Sequence, residues 1–503
     1  MVFLGTLLTA NSALATWSIV VINTRTREVC VSSATCLANF SLRRWLPVVR
    51  VGQGAGAAQS AVDISGFNRL KMWNGFQAGD SPDEILANLA LSGGHQSRQY
   101  GIAGFAGPSA TFTGSSAADA AFGVTGTVDD LVYAVQGNIL TDISVVLAAE
   151  SALRNTAGDL SQRVMAGMEA ARALGGDGRC SCSNSDPTGC GAPPPNFTKS
   201  AHTAFIALAR MGDVDGVCNT AIGCANGSYF LRRGFNGDTT DPDPILVLQD
   251  KVNIWRAALA GVTDQVHTEV IRGAQELLAD GISHTSIQIR LVDIDGVPLP
   301  LGGHTVTVTP VHAGADPALA SVVNDHGDGS YDFELTATLT PGRAAFHVRV
   351  DDGAGHDVLL WPPVAVNVVA PVDFHTDHFK LSASEGGTVT NTLTHPLGAA
   401  AAGEWYRVLG SFSGRLPGTM VGGVLVPLNS DRLFEITLNN PQPPRFEDFI
   451  GVFDGAGRAT AKLFLPPAVL GVLAGQRMDL VALYGDGQGG TEVSASDYFL
   501  LIP

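Results

Sequence analysis

At Thr285 the hydropathy pattern of this 503-residue chain changes period, and that change limits what the chain can fold into. Before it, β-branched runs alternate with stretches of helical spacing. After it, helix formers thin out and apolar residues recur at every second position, as in SIQIRLVDIDG and AFHVRVDDG, with turn signals such as Asp295-Gly296 and Asp328-Gly329 every eight to twelve residues. A period of two with closely spaced turns makes β-sandwiches, so residues 285–370 and 371–503 are each expected to form one, the second with strands such as 432–438 (RLFEITL) and 478–484 (MDLVALY). The length fits about three domains at ~150 residues each, and 45% hydrophobic with 15% charged residues marks a globular chain.

The part before Thr285 reads as follows. Residues 17–22 (WSIVVI) and 29–34 (VCVSSA) form a hairpin of buried strands, with Thr16 at its tip. A Gly-rich stretch at Gly52, Gly54 and Gly56 precedes helices near 61–77 and 82–92, the second opened by Ser81-Pro82-Asp83-Glu84. Strands are expected at 99–106, 109–114 and 131–136, helices at 142–154 and 159–174, strands at 203–210 and 228–235, and a long helix over 244–280. This order fits two sheets stacked between two helical layers. The fold class is therefore α+β: a four-layer αββα domain over 16–284, then two sandwiches.

Residues 1–15 (MVFLGTLLTANSALA) end in the small-x-small form of a signal-peptidase site and read as a signal peptide, although no Lys or Arg precedes Arg25. The chain is then secreted, periplasmic or held at the cell surface. Of the seven cysteines, Cys180, Cys182, Cys190, Cys218 and Cys224 lie in a loop-rich insertion over about 180–226, with Cys30 and Cys36 near the start. In an exported chain these read as disulfides rather than a zinc site, and the odd count leaves one thiol free or paired outside the chain. Asp and Glu outnumber Lys and Arg 47 to 30, for a net charge of −17. Nucleic acid and anionic lipid would be repelled, which excludes both as partners.

Thr16-Trp17-Ser18-Ile19-Val20, Gly52 through Gln59-Ser60, Arg98-Gln99, Thr113-Gly114, Gln136-Gly137-Asn138, Asp177-Gly178-Arg179, Ser200-Ala201, Leu231-Arg232 and Asp243-Pro244 together resemble the Ntn-hydrolase-like family catalogued as domain of unknown function 1028. The likeness spans about residues 16–260. The chain departs from that family at Asn23, where Asp is usual, at Arg27-Glu28 in place of a Gly-Glu turn, and in the cysteine insertion. The resemblance implies a fold and a mechanism without naming a substrate. A terminal threonine carries a nucleophilic hydroxyl and an α-amine that accepts its proton, and that amine titrates near ~8. Cleavage after Ala15 would free it. Thr16 is then the expected nucleophile and Asn138 the oxyanion donor. Arg98 is a candidate to hold a substrate carboxylate. Gln59, Ser18, Ser33 and Gln136 are supporting residues, Ser18 because strand alternation puts it on the same face as Thr16. Read as structure alone, Thr16 is a first-strand residue, Asn138 a strand-ending turn and Arg98 a solvated edge charge.

No H-E-x-x-H, Walker loop or G-x-S-x-G is present, so neither cofactor nor metal is expected, and the glycines at 52, 54 and 56 make only a partial dinucleotide pattern. The D-x-D-G runs at 213–216 and 293–296 lack the Glu of a calcium loop and read as turns, with weak calcium binding as the alternative. His95, His202 and His267 are scattered. Residues 285–370 resemble Ig-like or filamin-type repeats of bacterial surface proteins, and 371–503 a C-terminal sandwich of exported bacterial proteins. Trp405 is expected in the core, with a carbohydrate-facing role as the alternative. The leading reading is an exported amidohydrolase that cuts a small amide or peptide-like substrate, is held to a cell-surface polymer by its sandwiches, and pairs as a homodimer, as such folds often do. The rival is a catalytically silent surface or adhesion protein that keeps the hydrolase fold as a scaffold.

Overall fold

The computed structural model of the chain describes residues 16–502, apart from 279–280, 313–315, 339, 341, 370–373, 383, 468–472 and 488. The signal-peptide expectation over 1–15 lies outside the described residues.

The hairpin expected at the start forms as β1 (Thr16–Asn23) and β2 (Val29–Thr35). They are followed by a single helical turn, α1 (Leu42–Trp45), then β3 (Pro47–Arg50), β4 (Gly54–Ser60), α2 (Phe67–Ala78) and α3 (Pro82–Ala90). Next come β5 (Arg98–Gly104), β6 (Ala110–Thr113), β7 (Phe122–Val128), β8 (Leu131–Asn138), α4 (Ser144–Asn155), α5 (Leu160–Ala173) and the short α6 (Gly178–Ser181). Finally β9 (Thr203–Ala209), β10 (Leu231–Asn236) and α7 (Pro244–Ala257) complete this part. The strands make one six-stranded sheet, ordered β10-β9-β2-β1-β8-β7, and one four-stranded sheet, β3-β4-β5-β6.

Strand alternation decides what each sheet touches. In β1 the odd residues Trp17, Ile19 and Val21 share a core with Val145 and Val146 of α4, Val164 and Met168 of α5, and Leu248 and Val252 of α7. The even residues Val20 and Ile22 turn the other way and pack with Ala55 and Ala57 of β4, Ala103 of β5 and Phe205 of β9. On the far side of the smaller sheet, Tyr100 and Ile102 meet Met72 and Phe76 of α2 and Ile85 and Leu89 of α3. Two helix termini are fixed by their own sequence. Ser81 with Glu84, and Asp159 with Gln162, each form a reciprocal capping box at the start of α3 and α5.

Strand β4 carries no sequence signal, because Gly-Ala-Gly-Ala-Ala lacks the branched residues that mark a strand. Its glycines serve close packing. A Cβ on Gly54 would lie 2.4 Å from Phe76 Cε1, and one on Gly56 2.8 Å from Met72 Sδ.

The expected helix over 244–280 is correct only as far as Ala257. Turns follow, with Gly261 in the left-handed region at φ 75°, a conformation that ends helices. Residues Glu269–Arg272 and Glu276–Leu278 are instead strands, pairing with His284–Arg290 and Asp357–Val369. The β-rich character thus begins ahead of Thr285. Two facing sheets enclose Ile287, Ile289, Phe333, Leu335, Phe346 and Val348. Further on, a second pair of sheets encloses Phe374, Val389, Val408, Leu463, Leu480 and Phe499. The stretch RLFEITL, expected as a strand, is the helix Arg432–Asn439. Asp431 caps it by accepting from Phe434 N at 2.8 Å, and its buried residues Phe434 and Thr437 stand three apart, a helical spacing. Trp405 is not a core residue: it opens its strand 41% exposed, while Tyr406 and Val408 face inward.

Candidate functional site

The inter-sheet space turns polar at the end where β1 begins. By the alternation that sends Val20 and Ile22 into this layer, Ser18 and Thr16 follow, and all the strands around them change character at the same level. Thr16 pairs with Asn138 and Ser18 with Gln136 across β1 and β8; Ser18 pairs with Ser33 across β1 and β2; Gln59 pairs with Gln99 across β4 and β5. All seven are at most 3% exposed.

These side chains form one hydrogen-bonded set. Ser18 Oγ donates to Gln59 Oε1 at 2.5 Å and lies 2.9 Å from Ser33 Oγ, which donates to the Trp17 carbonyl at 2.8 Å. Gln59 Nε2 donates to the Thr16 carbonyl at 3.1 Å and to Gln99 Oε1 at 2.7 Å. Gln99 Nε2 reaches the Gly137 carbonyl at 2.8 Å and Thr113 Oγ1 at 2.9 Å. Gln136 lies over Gly101, where an added Cβ would come within 2.0 Å of its Oε1, and neither end of its amide has a partner. An orphaned amide at zero exposure marks a position that water or a ligand would complete.

The segment between β6 and β7 closes this end. The Ala117 carbonyl accepts from Asn138 Nδ2 and from Ser60 Oγ, each at 3.3 Å, and the Asp119 carbonyl accepts from Ile139 N at 2.9 Å. Among the described residues, four of the nine non-glycine residues with positive φ flank the site: Ser60 at 71°, Ala118 at 74°, Ala120 at 42° and Ile139 at 53°. For a β-branched residue such as Ile139 that conformation is costly, and backbone strain concentrates at functional sites. Ile139 is held from the other side too, since Gly178 N donates to its carbonyl at 3.1 Å. That neighbouring turn is built on Asp177, which accepts from Cys36 N at 2.6 Å and from Arg179 Nη2 at 2.8 Å.

Sequence reasoning thus placed Thr16, Asn138, Gln59, Ser18, Ser33 and Gln136 in one cluster. Arg98 sits at its rim, with Nη1 donating to the Ala61 carbonyl and Nε buried without a partner. Gln99, which joins the two sheets at the centre, was passed over in favour of Arg98. Its signal was available, because residues two apart on a strand share a face and Gln99 lies two before Gly101 and four before Ala103. Asn23 is a turn residue: its Oδ1 accepts from Arg25 N and Thr26 N, each at 2.9 Å. It lies at the far end of β1, about 23 Å from Thr16 at ~3.3 Å per residue, so this departure from the family pattern does not touch the cluster.

The cysteines pair as Cys36–Cys180, Cys182–Cys190 and Cys218–Cys224, leaving Cys30 free. Burial, helped by Glu28, pushes the Cys30 thiol well up, so it is inert. Cys36 and Cys180 lie near His202 in a group of metal-donor atoms, but the two sulfurs are bonded to each other. His95 stacks on Phe112 at 3.9 Å, and His267 pairs with Asp264 at 2.7 Å. The D-x-D-G runs are turns whose carboxylates are occupied. Asp213 accepts from Arg210 N and Phe230 N, and Asp293 from Asp295 N and Val297 N.

Residues 16–185 match the family described as "Family of unknown function (DUF1028)", and residues 265–359 match "Invasin, domain 3". The chain is thus similar to the DUF1028 family in its N-terminal part and to an invasin-type β domain further on. Among solved structures it is similar to protein SPO2555 from Silicibacter pomeroyi at 18% identity and a TM-score of 0.36, over 48% of this chain and 85% of that one. It is also similar to the Yersinia pseudotuberculosis adhesin InvE at 18% identity and a TM-score of 0.18, over 46% of this chain. Invasin, described as a bacterial integrin-binding protein, matches at 14% identity and a TM-score of 0.21, over 60% of this chain. The chain spans 58% and 46% of the lengths of those two adhesins. No curated protein matches it. Among the described residues no helix is long and apolar enough to cross a membrane.

Proposed function

We propose that this protein is an exported N-terminal-nucleophile amidohydrolase, freed for catalysis by a cut after Ala15 and carried on β-sandwiches that bind surface polymers or receptors. The observation that carries this reading is the uncharged polar end of the inter-sheet layer. Hydroxyls and amides surround Thr16, and among the described residues none of the strand side chains facing that space is a base. The base must come from the terminal residue itself, which is the chemistry an N-terminal threonine supplies. The helices on the larger sheet, the two sheets face to face, and α2 with α3 on the smaller sheet are, in this reading, the αββα layers of an Ntn hydrolase. The first sandwich begins with the strand Glu269–Arg272, and the second follows at about residue 371.

The steps balance as follows. Thr16 Oγ1 attacks the carbonyl carbon of the substrate amide while the Thr16 α-amine takes the hydroxyl proton, directly or through a water. The oxyanion receives a hydrogen bond from Asn138 Nδ2, which turns from the Ala117 carbonyl to do so. The amine then gives its proton to the leaving nitrogen as the C–N bond breaks, leaving an ester on Thr16. Water, deprotonated by the same amine, hydrolyses that ester to the acid. Gln59 holds the Thr16 carbonyl and so fixes the nucleophile's backbone, while Arg98 at the rim is placed for a substrate carboxylate. The test is the intact mass of the chain recovered from an exporting host: a mature chain starting at Thr16 is expected, and one that retains residues 1–15 contradicts the reading.

A second reading, a silent surface or adhesion protein, is favoured by the invasin-type match over 265–359. It expects binding through the sandwiches with no covalent chemistry at Thr16.

A further inference from the structure

A cleft of about 710 Å³ opens where the two sandwiches meet, within the ~300–1,000 Å³ usual for ligand sites. One wall is Gln275, Glu276 and Asn367; the other comes from residues 375–380 with Asp497 and Tyr498. Its carboxylates are fixed in place. Asp497 accepts from Thr376 N and Tyr498 N, each at 2.8 Å, and lies 3.3 Å from His375 Nδ1. Asp377 accepts from Thr390 N at 2.8 Å and lies 2.5 Å from His378 Nδ1. An aromatic shelf stands beside them: Phe379 is 56% exposed and packs edge-on against Tyr498 at 5.5 Å, while Arg477 covers the Tyr498 ring at 3.8 Å. Thr376, only 4% exposed, also lines the cleft, and its hydroxyl has no partner.

We propose that this cleft is a saccharide site, taking an uncharged or amine-bearing sugar. The inference rests on the reading of the sandwiches as surface-binding modules and is independent of Thr16. The lining is mixed in charge, with Asp377 and Asp497 paired to His378 and His375 and with Lys380 and Glu276 beside them, so it offers donors and acceptors together, while the chain's net charge of −17 disfavours phosphate, sulfate and sugar acids at long range. A purely apolar ligand would strip water from those carboxylates and give nothing back. A sugar ring offers both halves of what the cleft presents. Its hydroxyls donate to carboxylates whose geometry is already fixed, so little ordering is left to do on binding, and its C–H face lies on the exposed Phe379 ring.

The full chain on an array of neutral, amino-bearing, sialylated and sulfated oligosaccharides, with an oligolysine peptide alongside, tests this. Retention on neutral or amino-bearing glycans is expected, weakened about tenfold or more by Phe379→Ala and by Asp497→Asn and kept by Phe379→Trp. Phe379 is exposed, so an unchanged melting curve for Phe379→Ala separates lost binding from lost folding. Retention on no glycan, retention unaffected by Phe379→Ala, or binding confined to acidic glycans or the peptide overturns the proposal. Labelling of Thr16 is expected to be the same in all these variants, which keeps failure here distinct from failure of the hydrolase reading.

Discussion

Ile139 shows what the site asks of single residues. A β-branched side chain at φ 53° beside the paired Thr16 and Asn138 is a conformation that glycine adopts freely. Ile139→Gly is therefore expected to raise stability by roughly 1 kcal/mol in urea unfolding, less whatever the lost side chain contributed, while slowing turnover by loosening Asn138. Ile139→Ala loses the side chain yet keeps a Cβ in the left-handed region, so an Ile139→Gly chain no more stable than Ile139→Ala would contradict the strain. Gln59 makes the opposite case. Its amide serves Ser18, the Thr16 carbonyl and Gln99 at once, so Gln59→Leu strands three buried groups and is expected to cost about 2–4 kcal/mol by the same measurement. Much of this was legible beforehand, because Ser18, Ser33, Gln59 and Gln136 are polar residues within otherwise apolar strands. The Ala117 carbonyl was not legible, since a backbone acceptor on a loop leaves no trace in residue type.

At the scale of elements, the close approach of the two sheets depends on small residues. A Cβ at Gly101 would sit 2.0 Å from Gln136 Oε1, so Gly101→Ala is expected to destabilise by about 1–3 kcal/mol. Gln136→Ala in the same chain should recover part of that loss, and additivity in this double-mutant cycle would refute the contact. The disulfide Cys36–Cys180 joins the end of β2 to α6 across 144 residues and backs the Asp177 turn that holds Ile139. Replacing both cysteines by serine is expected to cost about 2–5 kcal/mol, read from the urea midpoint. Elements were legible where a residue pattern specified them, as in the capping box that opens α3. They were missed where strands are built of glycine and alanine, as in β4. They were misassigned where a β-branched pair sits in a helix set by its cap, as at Ile436-Thr437, or where the glycine that marks a helix end was read through, as at Gly261 after Ala257.

The N-terminal part is tied to the segment that enters the first sandwich by a buried ionic chain. Arg210 bridges Glu28 at 2.8 Å and Asp264 at 2.6 Å, and Asp264 also pairs with His267 at 2.7 Å, just before the first sandwich strand. Burial alone would raise the Asp264 carboxyl, but Arg210 and His267 outweigh it and hold it far below the usual carboxylate range. The hydrogen bond to Asp264 raises His267 above its ordinary value. A raised histidine contributes stability that is complete below its unfolded pKa of about 6.5 and lost as pH rises through the folded value. A depressed carboxylate contributes above about 3.9 and is lost as pH falls through its folded value. The junction is thus expected to be firmest between about pH 4 and 6.5 and to weaken above that, a slope that His267→Gln should flatten in pH-dependent melting curves.

The most direct test of the account is the covalent capture of Thr16. A chain beginning at Thr16 is treated with an electrophile that reacts with terminal threonines, and the modified residue is located by peptide mass spectrometry. The account expects one adduct at Thr16, kept by Thr16→Ser and abolished by Thr16→Ala. A correctly cut and folded chain that takes up no label would contradict it and leave the N-terminal domain as a scaffold for the sandwiches.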